Sequence, residues 1–149
     1  MVAFRSRPFK IVAMPGAPVE ALQRVPLFSD LSKRELTPIA RAFKERQFSA
    51  GATIAREGTG GAAFFLIESG EATVSVGGKE RATLKPGDYF GEIALIDEGA
   101  RTATITASTD LVCYGLMLWE FRPLVQENGA IGWKLLQSLA KNLRIAQQE

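Results

Sequence analysis

Apolar and polar positions change their period twice along this chain. Between Ser32 and Phe43 the apolar residues Leu36, Ile39, Ala40 and Phe43 recur at helical spacing, behind a Ser32-Lys33-Arg34-Glu35 pattern that caps a helix start. Pro38 interrupts that stripe: it removes a backbone donor and crowds the preceding turn. The expectation is therefore a kink, or a new helix with Thr37 as its cap and Pro38 at its first position. From Phe48 to Met117 short β-rich or alternating runs predict strands at 53–55, 63–68, 72–76, 82–84, 103–107 and 111–117. Glycine clusters at Gly58-Thr59-Gly60-Gly61 and Gly77-Gly78 fit the turns between them. Successive strands with no helix between them imply a sandwich, a jelly roll or a small barrel, and the pattern alone leaves these open. The last part of the chain is helical again. Residues 119–126, interrupted at Pro123, predict one short helix, and Asn128-Gly129 predicts a break. Ile131, Leu135, Leu139 and Leu143 then recur at i+4, widened by Leu136 and Ala140, as an amphipathic helix whose simplest use is to pack on its own domain.

Residues 1–25 read as an irregular arm, punctuated by Pro8, Pro15 and Pro18 and basic at Arg5, Arg7 and Lys10. The chain thus divides into that arm, residues 26–118 as a helix plus a β-region, and residues 119–149 as C-terminal helices. The apolar run 11–14 is cut by Pro15 and is too short for a signal peptide. Nothing approaches the roughly 20 apolar residues that span a bilayer, so no membrane span is expected.

Composition narrows the functional classes. A length of 149 residues fits one domain, and 46% hydrophobic with 23% charged residues is ordinary for a soluble globular chain. A formal charge of +2 supplies no strong pull toward nucleic acid. The single cysteine excludes an intramolecular disulfide framework and fits a cytoplasmic location; within Leu111-Val112-Cys113-Tyr114 it reads as a buried core thiol. The absence of histidine removes His-based metal sites and Ser-His or Cys-His catalysis from consideration within this chain. No nucleophile with its base is evident either, so the expectation is a binding protein, not an enzyme, with no cofactor.

The chemistry concentrates in residues 87–103. Gly91 allows backbone to approach a ligand closely. The N–H groups that open the short apolar turn of Ile93, Ala94 and Leu95 attract negative charge, and the Arg101 guanidinium matches two phosphate oxygens at once. Glu92 would repel a phosphate unless it accepts hydrogen bonds from something else, and sugar hydroxyls would satisfy it. The ligand these residues predict is a phosphorylated ribose with Arg101 at one end and Glu92 at the other.

The segment Phe90-Gly91-Glu92-Ile93-Ala94-Leu95, followed by Arg101-Thr102-Ala103-Thr104, resembles the phosphate-binding cassette of cyclic-nucleotide-binding domains, the sensors of cAMP and cGMP. The nine positions from Glu92 to Arg101 (101 − 92) match the family's common spacing, while Ala100 stands where many members have proline and so leaves that loop less rigid. The resemblance, which extends over roughly residues 27–143, selects a jelly-roll β-barrel with an N-terminal helix and C-terminal lid helices. It implies cAMP or cGMP as ligand, bound by Gly91, Glu92, Ile93, Ala94, Arg101 and Thr102, with Val74 as apolar floor under the ribose or base. Thr102 can bond the phosphate or a guanine amine and leaves the base open; Trp133, Leu136 and Leu139 are candidates to stack on it. The last helix implies a lid or a homodimer contact. Because the sequence stops at Glu149, no DNA-reading module is expected within it, so the output would be a second copy, a partner protein or a further domain that this sequence does not contain. The rival from another class is a degenerate member that binds no nucleotide and serves as an interaction module.

Overall fold

The computed structural model describes residues 16–60 and 63–148. Residues 1–15 of the expected arm, and Gly61 of the expected turn, lie outside the described residues. The elements, in order, are helix α1 (Val19–Gln23), a 3-10 turn (Pro26–Phe28), α2 (Lys33–Ala42), strands β1 (Lys44–Phe48), β2 (Thr53–Ala55), β3 (Ala63–Ser69), β4 (Ala72–Val76), β5 (Lys79–Leu84) and β6 (Tyr89–Phe90), helix α3 (Ala94–Asp97), β7 (Thr104–Ala107), β8 (Leu111–Met117), and helices α4 (Leu118–Glu127) and α5 (Gly129–Gln148).

The strands pair as a long hairpin would if it were rolled up. β1 lies against β8, β2 against β7, β3 against β6 and β4 against β5, all antiparallel. Further pairing of β3 with β8 and β4 with β7 completes two four-stranded sheets, β1-β8-β3-β6 and β2-β7-β4-β5. This is a jelly roll, flanked by helices at both ends of the chain.

The apolar run at β3 is continuous, not alternating, because both of its faces are covered. Ala63, Phe65 and Ile67 point between the sheets, with Ile105, Leu111 and Cys113. Phe64 and Leu66 point outward under the helices, with Phe28, Phe43, Leu95, Phe121, Ile131 and Leu135. Phe64 meets Phe28, Phe43 and Tyr89 with ring centroids 5.6–5.9 Å apart, so the helical layer is fastened through one aromatic side chain. Burial pushes the Cys113 thiol up to about 12, which leaves it inert in the core.

Two strands escaped the periodicity. β1 reads Lys-Glu-Arg-Gln-Phe and carries no alternation, since it is a sheet edge held by backbone pairing to β8 and by Phe48 edge-on to Phe65. β6 is two residues long, below what any pattern can register.

Of the two expectations at Pro38, that of a new helix is corrected. α2 runs unbroken from Lys33 to Ala42, capped reciprocally by Ser32 Oγ, which accepts the Glu35 N–H, and Glu35 Oε1, which accepts the Ser32 N–H. Leu36 lies before Pro38 and Ile39 and Ala40 after it, all on one buried face, and burying that face outweighs the single backbone bond that proline forfeits. Pro123 likewise sits inside a continuous α4. The expected break falls at Asn128, whose backbone is extended.

In α5 the inward face is Ile131, Leu135 and Ser138, while Trp133, Leu136 and Leu143 are 64%, 58% and 61% exposed. The first half of α5 is thus packed on its own domain, as the stripe implied, and the second half projects away from it. Two carboxylates pin it there. Lys134 Nζ donates to Glu35 Oε1 at 2.8 Å, and Ser138 Oγ and Lys141 Nζ donate to Asp30 Oδ2 at 3.0 and 2.9 Å. Among the described residues no helix is long and apolar enough to cross a membrane.

Candidate functional site

β6 delivers the chain to the site. Phe90 stacks on Phe65 at 5.2 Å, so the residue before Gly91 is anchored in the interior of the roll. The chain must then turn sharply to start α3, and Gly91 does so at φ +89°, in the left-handed region that favours glycine. Any side chain there would also force its neighbours to shift, since a Cβ at Gly91 would lie 2.3 Å from the Ala63 carbonyl oxygen and 2.5 Å from Arg101 Nη1.

That proximity shows how Arg101 is placed. It crosses against the Gly91 backbone and donates from Nη2 to the Ala63 carbonyl at 2.7 Å. Its main chain is fixed as well, since the Gly58 N–H donates to the Arg101 carbonyl at 2.9 Å and the Arg101 N–H donates to the Thr59 carbonyl at 2.8 Å. Burial pulls the guanidinium below its ordinary value, and among the described residues no carboxylate pairs with it. A guanidinium keeps its charge in proteins, so the site holds a fixed cation.

Glu92 faces the same cavity. Burial raises its carboxyl above the ordinary carboxylate value, while hydrogen bonds from its own N–H and that of Ile93 draw it part of the way back. Arg101 and Glu92 therefore share one cavity as a partly desolvated cation and a partly desolvated acid that do not satisfy each other.

The cavity measures about 270 Å³. Gly91, Glu92, Ile93, Ala94, Arg101 and Thr102 all line it, so the structure brings together six of the seven residues named from the sequence. Val74 is the exception. It lies on β4 in register with Ile105, packed against the interior cluster, and it is Ile105 that lines the cavity. One of the two backbone donors is engaged within the turn itself, since the Ala94 N–H donates to the Gly91 carbonyl at 3.2 Å. Trp133, Leu136 and Leu139 are not brought to this cavity. They line a separate apolar groove of about 440 Å³ with Leu95 and Ile96, on the other side of α3.

α3 is the wall between the two. Ile93, Ala94 and Asp97 face the cassette cavity, and Leu95 and Ile96 face α4 and α5. Its end is tied to α4, because Glu98, held at φ +56°, forms an ion pair with Arg122. Sequence reasoning located the glycine turn beginning at Gly58 but not its part in this site, and it missed Ala63; both act on Arg101 through backbone atoms, a role that residue type does not signal. Among the described residues no group of three or more Cys, Asp or Glu could hold a metal ion.

Comparison with known proteins agrees with this geometry. The family described as "Cyclic nucleotide-binding domain" matches residues 45–128, which is 84 of the 149 residues (128 − 45 + 1). The chain is 46% identical over 92 residues to the cAMP-dependent protein kinase regulatory subunit of Yarrowia lipolytica, across 60% of this chain and 24% of that protein. It is 39% identical over 95 residues to the cGMP-dependent protein kinase of Toxoplasma gondii, across 64% of this chain and 10% of that one. The chain thus spans about a quarter of the regulatory subunit's length and less of the kinase's. Among solved structures, the N-terminal domain of a transcriptional regulator from Streptomyces coelicolor superposes with a TM-score of 0.79 at 26% identity, covering 86% of this chain and 95% of that one. The catabolite activator protein of Thermus thermophilus superposes with a TM-score of 0.64 at 33% identity, covering 83% and 60%.

Proposed function

The chain belongs to the cyclic nucleotide-binding domain family, and from that premise we propose that it binds cAMP or cGMP and signals through a shift of its C-terminal helices. One observation carries the reading: a partly buried arginine with no carboxylate partner among the described residues shares a cavity with a partly buried glutamate that leaves it unpaired. Desolvating a cation without a counter-charge is unfavourable, and an anionic ligand relieves it. A cyclic phosphate would take the Arg101 fork, while the ribose hydroxyl would donate to Glu92. The Ile93 and Ala94 N–H groups would turn to the phosphate, and the Ala94 N–H would have to leave the Gly91 carbonyl to do so. Thr102, exposed at the rim, is the hydroxyl that would meet either the phosphate or the base.

Signalling has a physical route in α3, which faces the ligand cavity on one side and the apolar groove of α4 and α5 on the other. A phosphate that draws Ile93 and Ala94 toward it moves Leu95 and Ile96 with them. Whatever shift results is limited by the ligand's differential affinity for the two positions of the helices, not by tightness alone. The exposed apolar face of α5 supports a second part of the proposal, a homodimer or partner-protein contact through that helix.

Calorimetric titration of the wild type and Arg101→Ala with cAMP and with cGMP tests the reading. Losing the guanidinium leaves a phosphate unpaired, at a cost of about 2–5 kcal/mol by analogy with truncated buried charge pairs, or roughly tens- to thousands-fold in affinity. Absence of binding by the wild type would reject the sensor reading and favour an interaction module that keeps only the fold.

A further inference from the structure

We infer that Glu57 is a positioning residue for Arg101, anchoring the turn at residues 56–60 that holds the arginine's backbone in place. The inference rests on the cyclic-nucleotide reading above and concerns how that site is held together. Arg101 follows Gly99 and Ala100, neither of which restricts the loop as a proline would. What fixes it is a backbone splint: Gly58 N–H to the Arg101 carbonyl at 2.9 Å, Arg101 N–H to the Thr59 carbonyl at 2.8 Å, and an antiparallel bridge between Gly60 and Ala100.

The splint needs its own support, since residues 56–60 are all exposed and no side-chain packing holds them. Thr59 Oγ1 closes the turn internally by donating to the Arg56 carbonyl at 2.7 Å. Glu57 supplies the outward links. Its N–H donates to Thr104 Oγ1 on β7 at 3.0 Å, and its carboxylate accepts the Gly77 N–H at 3.0 Å, at the tip of the turn between β4 and β5. Gly77 is held at φ +60° and Gly78 at +80°. Glu57 therefore ties two separated segments, β7 and the turn between β4 and β5, to the turn that splints Arg101. The guanidinium is a rigid fork whose value depends on alignment with two oxygens at once, so a loosened splint costs affinity without removing any ligand contact.

The experiment measures cAMP and cGMP affinity by calorimetry for the wild type, Glu57→Ala, Glu57→Gln, Arg101→Lys and the double variant Glu57→Ala/Arg101→Lys, with a melting curve for each. Glu57→Ala is expected to weaken binding about three- to tenfold, the equivalent of one net hydrogen bond, while its melting temperature stays near that of the wild type. Glu57→Gln keeps an acceptor for the Gly77 N–H and should recover most of the loss. In the Arg101→Lys background the same Ala substitution should cost less, because a point-charge ammonium depends less on alignment; a general destabilisation would add in full. If the wild type binds nucleotide and Arg101→Ala does not, yet Glu57→Ala binds like the wild type, this inference falls and the functional reading stands. If the wild type binds neither nucleotide, the functional reading falls, and the Arg101 Nε–Hε resonance, assigned by its loss in Arg101→Ala, decides this inference alone. Broadening of that resonance in Glu57→Ala supports positioning, and an unchanged line overturns it.

Discussion

Replacing Gly91 with alanine separates backbone strain from spatial conflict at the centre of the site. The backbone there stands at φ +89°, and an L-residue in the left-handed region costs about 1–2 kcal/mol. Gly51 provides the control, because it stands at φ +91° yet a Cβ there would meet nothing within 4 Å. Gly51→Ala therefore measures the backbone term alone. At Gly91 the Cβ would lie 2.3 Å from the Ala63 carbonyl oxygen, against an ordinary contact of 3.4 Å, so about 1.1 Å must be found (3.4 − 2.3). Ala63 begins the doubly buried β3 and cannot give that much freely; overpacking of this kind costs roughly 1–3 kcal/mol. The sum is about 2–5 kcal/mol for Gly91→Ala. At about 2–4 °C of melting temperature per kcal/mol in a chain of this size, Gly51→Ala should lower the melting temperature by a few degrees and Gly91→Ala by clearly more. Because Arg101 Nη1 would also lie 2.5 Å from the new methyl group, nucleotide affinity should fall in Gly91→Ala and hold in Gly51→Ala. Equal melting temperatures for the two variants would refute the spatial argument.

Asp30 and Glu35 carry a pH prediction. Hydrogen bonds from Lys141 and Ser138 hold the Asp30 carboxyl below its ordinary 3.8, and Lys134 with the Ser32 N–H holds Glu35 below 4.5. A carboxyl with a lowered folded value stabilises the protein above the ordinary carboxylate range and loses that contribution as pH falls through the folded value. Melting curves taken between about pH 6 and pH 3 should therefore fall less steeply for Asp30→Asn/Glu35→Gln than for the wild type; identical slopes would mean these bonds contribute nothing to holding α5. Light scattering at micromolar concentration tests the contact proposed for α5. Trp133→Ser/Leu136→Ser should shift a dimer to monomer, and a wild type that is monomeric with and without nucleotide rejects a homodimer.

The hydrophobic pattern carried the broad order of the chain because it reports which faces are buried, and burial drives both periods. It located α2, α5 and six of the eight strands, and the spacing of Gly91, Glu92 and Arg101 placed the cassette. It lost β1, where a charged edge strand is held by backbone pairing, and it overweighted Pro38, where a buried stripe on both sides outweighs one missing donor. Val74, named by pattern as apolar floor, lies in the interior cluster in register with Ile105, the residue that lines the cavity.

The sequence by itself determined the chemistry of this protein: a glycine that permits a tight turn, a carboxylate, a guanidinium, and the periodicities that enclose them. Tertiary structure alone decided how these are held. That Arg101 leans on the Ala63 carbonyl and is splinted by the turn at 56–60, that Glu92 does not neutralise it, and that α3 stands between the ligand cavity and the C-terminal helices all depend on contacts between segments far apart in the chain. Most of those contacts run through backbone atoms, which every residue carries alike, so no pattern of residue types can announce them.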